Sequence, residues 1–387
     1  MCARVVPRPG RSRALVGFAA FGAFWGTWGA SLPRVQVEAG VSDAQLGTAL
    51  LWVGAGALLS IRYVGGLTDR AERWVLPVAV AVLGAVGAMP VFVHGVAALS
   101  VVLLLLGVCS GGVDAAINAA AVRAETNGPP VLNLAHAVFS LAVVASSLGV
   151  AAASRDGHGR AWALVAVGAI LIAAAAVSTI LSVADAAPRK DPWTEPDGLR
   201  ITWSGPLLVL GALAAVAYVV ENAWQSWGAI QLHSTVGTSL RLAALAPAVF
   251  ALAAAAGRLS AHRFAGDLAP AALFGGAAAL AAVGSVIAAL GGSPGWVIAG
   301  IALAGLGTSV CAPTLIALAG QPRFGRQGAA TGTVITLAYL GFVLGPAAVG
   351  LLAGAFTLPT ALLAVAALAF GLCAASPLLR SYAEAPV

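Results

Sequence analysis

Gly65-Gly66-Leu67-Thr68-Asp69-Arg70-Ala71-Glu72-Arg73 is the stretch that decides the fold. It is polar, and it has a counterpart in Gly257-Arg258-Leu259-Ser260-Ala261-His262-Arg263. Each stretch follows the second apolar run of its half of the chain and reads as a short arginine-bearing loop. The same polar break at the same point of two apolar series implies two similar halves, an arrangement found among internally duplicated membrane proteins.

The surrounding sequence supports a membrane setting. The 387 residues are 60% hydrophobic and only 9% charged, and the mean hydropathy is +0.96. A soluble domain carries roughly 25% charged residues. A helix needs about 20 apolar residues to cross a bilayer, and runs of that order recur at about 14–33, 44–64, 74–93, 96–120, 132–153, 161–183, 205–228, 241–257, 268–290, 296–318, 328–353 and 357–379. Runs such as Val101–Val108 and Ile170–Val177 lack the period-two polarity of a membrane barrel, so helices are expected. The expected fold is an all-α membrane protein of twelve transmembrane helices in two six-helix bundles, residues 1–183 and 205–387. The polar segment 184–204, broken by Pro188, Pro192 and Pro196, joins them.

The formal charge is +6. A basic balance can signal nucleic acid, but here topology accounts for it. With a cytoplasmic N-terminus, only Arg34, Arg155, Arg160 and Arg241 of the 20 basic residues fall outside. The positive-inside rule then places both termini and the 184–204 linker in the cytoplasm. The Arg-rich N-terminal lead continues into a long run through Trp25-Gly26-Thr27-Trp28 without a small-x-small cleavage site, so it reads as a first span rather than a signal peptide. Cys2, Cys109, Cys311 and Cys373 are too scattered for a disulfide framework.

Polar groups inside the spans are the candidate functional residues, because an ionisable side chain in the bilayer is costly and usually meets a cavity or a partner. Asp114 stands out. Gly107, Gly111, Asp114 and Asn118 fall on one helical stripe at i, i+4, i+7, i+11, read as a glycine-lined polar path; structural pairing of Asp114, through Arg123 for instance, is the alternative. Glu221 is the second intramembrane acid. Glu221, Gln225 and Gly228 share a face, flanked by Asn222 and Trp224, and such a group could hold a polar solute by hydrogen bonding and stacking, or belong to an interfacial belt with Trp227. In the fifth span His136, Ser140 and Ser147 align, with Asn133 nearby; histidine can relay protons, or be a hydrogen-bonded structural residue. Tyr218, Thr333, Thr336 and Tyr339 are weaker cavity candidates, and Trp25 and Trp28 read mainly as packing. Gly345-Pro346 and Ala312-Pro313 are read as interruptions of their helices that could provide bending points, with local packing as the simpler role.

No catalytic arrangement emerges. Histidines and acids never gather at metal-ligand spacing. Gly291-Gly292-Ser293-Pro294-Gly295 lies in a short turn rather than a nucleophile elbow. The phosphate-loop pattern is absent. An enzyme, a cofactor, a metal, nucleic-acid binding and an ATP-driven pump are therefore not expected.

The chain resembles the major facilitator superfamily over essentially its whole length. Gly65, Leu67, Asp69, Arg70 and Arg73 are similar to that superfamily's signature between spans two and three, with Glu72 and Trp74 departing from it. Gly257, Leu259 and Arg263 fit the second copy, where His262 replaces an acid. The resemblance implies a gating role for Gly65, Asp69, Arg70, Arg73, Gly257 and Arg263, and a cavity lined by spans one, four, seven and ten. Asp114-x3-Asn118 is similar to the fourth-span motif of fucose–proton symporter-like permeases, whose acid lines the sugar site. Asn133-x2-His136-x2-Phe139-Ser140 and Gly341-Phe342-x-Leu344-Gly345-Pro346 look closer to a bacterial branch described only as inner-membrane transporters.

The resulting expectation is a monomeric secondary transporter of the bacterial inner membrane. It would move a small organic solute by alternating access, coupled to protons through Asp114 first and Glu221 second. The aromatic, weakly charged spans tilt it towards export of a metabolite or drug; proton-coupled uptake of a sugar-like solute is the alternative. A non-transporting receptor or scaffold is the rival of another class, and it would normally carry a soluble signalling domain.

Overall fold

The computed structural model describes residues 9–70, 72–126, 131–154, 161–184, 204–264, 268–324 and 327–383, the side chains of 9, 61–70, 72–73, 122, 125–126, 132–133, 182–184, 262, 264, 327–328 and 383 excepted. Among them the structure is helical, without strands. Twelve long helices follow in order: α1 Pro9–Ala39, α2 Asp43–Arg70, α3 Glu72–Gly87, α4 Gly95–Thr126, α5 Leu132–Ala153, α6 Trp162–Ala184, α7 Gly205–Ile230, α8 Ala246–Phe264, α9 Pro270–Leu290, α10 Pro294–Ala319, α11 Gln327–Ala355 and α12 Leu358–Ala375. Eleven candidate spans are long and apolar enough to cross a membrane. The remaining long helix, α2, has 28 residues, about 42 Å at ~1.5 Å per residue, which exceeds the ~30 Å hydrocarbon core.

Local sequence explains where helices begin. Ser42 and Gln45 form a reciprocal capping box at the start of α2: Ser42 N–H donates to Gln45 Oε1 at 3.0 Å, and Gln45 N–H to Ser42 Oγ at 3.3 Å. Gly40, at φ +65°, makes the turn from α1. α7, α9, α10 and α12 each open with proline at a first-turn position, where a missing N–H costs nothing. Pro313 and Pro346, expected to interrupt helices, instead lie within continuous α10 and α11. Neighbouring helices and local adjustment let membrane helices tolerate proline.

The chain forms two compact units: residues 1–41 with 52–194, and 42–51 with 195–387. In the first, α1 packs against α4, α5 and α6, while α3 packs against α4 and α6. In the second, α7 packs against α10, α11 and α12, while α9 packs against α10 and α12. Adding six to each helix number converts one set of neighbours into the other. Small residues make these contacts close, because apolar attraction alone does little for helices in lipid. A methyl at Gly107 on α4 would strike the Val53 backbone of α2, and one at Gly257 on α8 would strike the Leu306 carbonyl of α10. The first turns of α2 belong to the second unit, where a methyl at Gly47 would lie 2.7 Å from Gly350 Cα of α11.

Large aliphatic side chains also project outward, among them Leu141, Ile180, Val101 and Leu351. Trp74, Trp162 and Trp296 are exposed near the first turns of α3, α6 and α10, where an interfacial belt would need them. The outside of this protein is matched to lipid rather than water.

Candidate functional site

Glu221 sits on α7 with its side chain only 9% exposed. Gln225, one turn on, donates Nε2–H to Glu221 Oε1 at 3.2 Å. Arg258 of α8 donates from Nη2 to the same oxygen at 3.3 Å. Helical side chains tilt towards their own N-terminus. Because α7 and α8 are consecutive packed helices running in opposite directions, Glu221 and Arg258 lean towards each other. The arginine side chain is half exposed, at 50%. Both donors use Oε1; no described donor occupies Oε2.

Among the described helices of the second unit, charges around the pair are sparse. α9, α10, α11 and α12 contain no Asp, Glu, Lys or Arg, and α7 contains no other charge than Glu221. On α8 the remaining basic residues are His262 and Arg263, near its C-terminal end. Opposite charges in a low-dielectric surrounding hold each other more strongly than a surface pair does. Asn222 beside them is 5% exposed.

The aromatic residues of this region have different work. Trp224 donates Nε1–H to Ser285 Oγ of α9 at 2.8 Å, and Trp227 donates to Pro346 O of α11 at 3.1 Å. Both indoles are buried. Gln231 donates to Ala288 O and Ala289 O at 3.2 Å each. Trp224 thus ties α7 to α9, and its indole is buried in the core.

In the first unit Asn118 donates Nδ2–H to Asp114 O at 2.9 Å and to Asp114 Oδ1 at 3.0 Å. Both residues are half-buried on α4. The expected stripe divides here. Gly107 and Gly111 are buried against Val53 and Ala57 of α2, so they serve helix packing and only Asp114 and Asn118 remain as polar candidates. His136 is exposed and meets Phe18 edge-on, ring centroids 5.0 Å apart. Ser147, expected to share its face, is buried and donates to Gly26 O of α1 at 3.1 Å. The Asn133 side chain lies outside the described residues.

The arginine-bearing loops are corrected as well. Gly65, Asp69 and Arg70 lie in the last turns of α2, Arg73 lies in the first turn of α3, and Gly257, Arg258 and Arg263 lie within α8. Charged residues at helix ends are solvated without leaving the helix, so polarity alone does not mark a loop. The side chains of Gly65 to Arg73 are outside the described residues, as is most of the 184–204 linker. Arg263 is exposed. Arg258 is the residue that sequence reasoning missed. Its signal was present: from Ala248 to Phe264 no proline, asparagine or aspartate stops a helix, which carries α8 past Gly257. Among the described residues no group of three or more His, Cys, Asp or Glu could hold a metal.

The Major Facilitator Superfamily profile matches residues 14–322.

The chain belongs to the major facilitator superfamily.

It is a multi-pass membrane transporter of that superfamily, not an enzyme. An uncharacterised MFS-type transporter of Yersinia pestis is 30% identical over 344 residues, covering 88% of each chain. An uncharacterised transporter of Sinorhizobium fredii is also 30% identical, over 88% of this chain and 90% of its own. Membrane protein MosC of Rhizobium meliloti is 26% identical over 361 residues. Among solved structures, a bacterial homologue of the human lysosomal transporter Spinster superposes with TM-score 0.76 at 17% identity, covering 99% of this chain and all of that one. A mutant of the nucleoside transporter NupG gives 0.77 at 13% identity, covering 96% and 99%. At these identities the structures speak for the fold alone.

Proposed function

We propose that this transporter moves a small organic solute by alternating access, with a proton coupled to the movement. The observation that carries the proposal is the Glu221 carboxylate: buried on a membrane helix, with Oε1 held by Gln225 and Arg258 and Oε2 left for a proton. Charges kept inside membrane helices mark solute and proton paths more often than they stabilise a fold. Asp114, steadied by Asn118, is the intramembrane acid of the first unit and the other candidate proton carrier.

In this reading the two halves are six-helix bundles, residues 1–183 and 205–387, with the linker 184–204 and both termini on the cytoplasmic side of a bacterial inner membrane, and the monomer is the working unit. Export of a small metabolite is the favoured direction, on the scarcity of polar groups in the spans. Uptake of a sugar-like solute is the second reading and rests on Asp114 and Asn118.

The test is solute-driven proton movement. Purified protein is sealed into liposomes containing a pH-sensitive dye, and a solute library is added. At least one solute should move protons in the parent protein. Glu221→Gln should lose that signal yet keep solute counterflow. Counterflow without proton movement in the parent would refute coupling, and neither signal from a folded protein would refute transport of these solutes.

A further inference from the structure

We infer that Arg258 is the anchor for the solute and that the solute is an organic acid with a single carboxylate. The inference rests on the transporter reading above and adds the chemical class.

Arg258 is the half-exposed member of an ion pair whose other member is buried. A guanidinium carries five N–H donors in a planar fork that suits a carboxylate. The bond to Glu221 Oε1, through Nη2, is a single contact at 3.3 Å rather than a two-pronged one. Its remaining donors can take a second acceptor. Exposing a guanidinium to hydrocarbon at this depth is costly, so the open half is suited to water or solute.

Charge balance selects the class. The resting pair is neutral. A carboxylate arriving at Arg258 while Glu221 stays ionised would leave one uncompensated negative charge among helices that contain no other. If Glu221 takes a proton on Oε2, its hold on Arg258 weakens and the solute carboxylate becomes the counter-ion. The site is again neutral, with one anion and one proton added. A dianion would not balance, and a neutral sugar would have no use for the fork. Acid and proton therefore travel together.

Other titratable groups lie on the elements packed around α7, and the Glu221→Gln arm of the test decides which group takes the proton. Among the described side chains they are Tyr218 on α7, His233 and Arg241 in the turn to α8, Arg263 on α8, Cys311 on α10, Tyr339 on α11 and Cys373 on α12. His233 is engaged through Nδ1 with Thr238 O at 2.8 Å. Cys311 is fully buried with Sγ on Gly307 O.

The test uses a panel of aromatic and aliphatic monocarboxylates, each with its matching amide, against purified full-length protein in detergent. Binding is read by calorimetry at two pH values, in two buffers of different ionisation heat so that proton uptake is counted. The parent should bind at least one acid about tenfold or more tighter than its amide, the worth of one charge-assisted hydrogen bond, and take up close to one proton. Glu221→Gln should bind the same acid at least as tightly, without proton uptake and without pH dependence. Arg258→Gln should lose the preference for acid over amide, and Arg258→Lys, which keeps the charge but not the fork, should retain part of it. Equal binding of acids and amides, or acid binding that survives Arg258→Gln, overturns the inference. Flux of neutral solutes with no acid bound would overturn it while leaving the transporter reading intact.

Discussion

Arg258 Nη2 lies 3.3 Å from Glu221 Oε1, joining helices α7 and α8 through the sole acid of α7. Separating the pair should cost stability in proportion to what stays behind. Arg258→Gln leaves the buried carboxylate without its cation, whereas the double change Glu221→Gln with Arg258→Gln leaves two neutral amides. Thermal unfolding in detergent should therefore rank the double variant above Arg258→Gln. A charged hydrogen bond of this kind is worth about 1.5–3 kcal/mol; the half-exposed guanidinium puts this pair at or below the lower end. A double variant no better than Arg258→Gln would mean that the carboxylate does not depend on Arg258.

Trp224→Phe removes the donor to Ser285 Oγ and leaves that hydroxyl buried, since Ser285 is 0% exposed. The expected loss is about 1–3 kcal/mol of stability, with solute affinity unchanged. A large rise in half-saturating solute concentration at normal thermal stability would support the stacking role.

Gly107→Ala should damage the first unit, because the new methyl would strike the Val53 carbonyl of α2. Overpacking of this kind costs about 1–3 kcal/mol. Gly149→Ala on α5 is the control: nothing lies within 4 Å of its added methyl, and replacing a helical glycine is worth up to about 1 kcal/mol. Yield and melting temperature of folded protein should fall for the first and hold or rise for the second.

Orientation is read by labelling. In a cysteine-free background, a cysteine at position 190 should react with a membrane-impermeant reagent only after the cells are opened, and one at position 158 should react in intact cells. The reverse pattern would invert the topology.

Much of the fold was legible because hydrocarbon thickness imposes a length on every apolar run, and twelve runs of that length fix the helix count. The polar breaks were less legible. Gly65 to Arg73 and Gly257 to Arg263 were read as loops because they are charged, yet helices α2, α3 and α8 run into them. Spacing placed Glu221 and Gln225 on one face correctly, and it placed Asp114 and Asn118 together. It also put Gly107 and Gly111 with Asp114, although they face α2. A helical stripe specifies direction, and only the neighbouring helix decides what that direction meets. Arg258 and Glu221 lie 37 positions apart, so no local pattern links them. The partners of Trp224 and Trp227 were not legible for the same reason: their acceptors, Ser285 and Pro346, are on α9 and α11.

Gly47 and Gly350 touch across α2 and α11, and this has a consequence during synthesis. The ribosome makes Gly47 some three hundred residues before its partner. At roughly 5–20 residues per second, the first turns of α2 wait about 15–60 s for α11. Throughout that interval a groove shaped for another helix faces lipid or the insertion machinery. Nascent chains arrested before Gln327 should crosslink from Gly47 to the insertase, and chains arrested well beyond Ala355 should not.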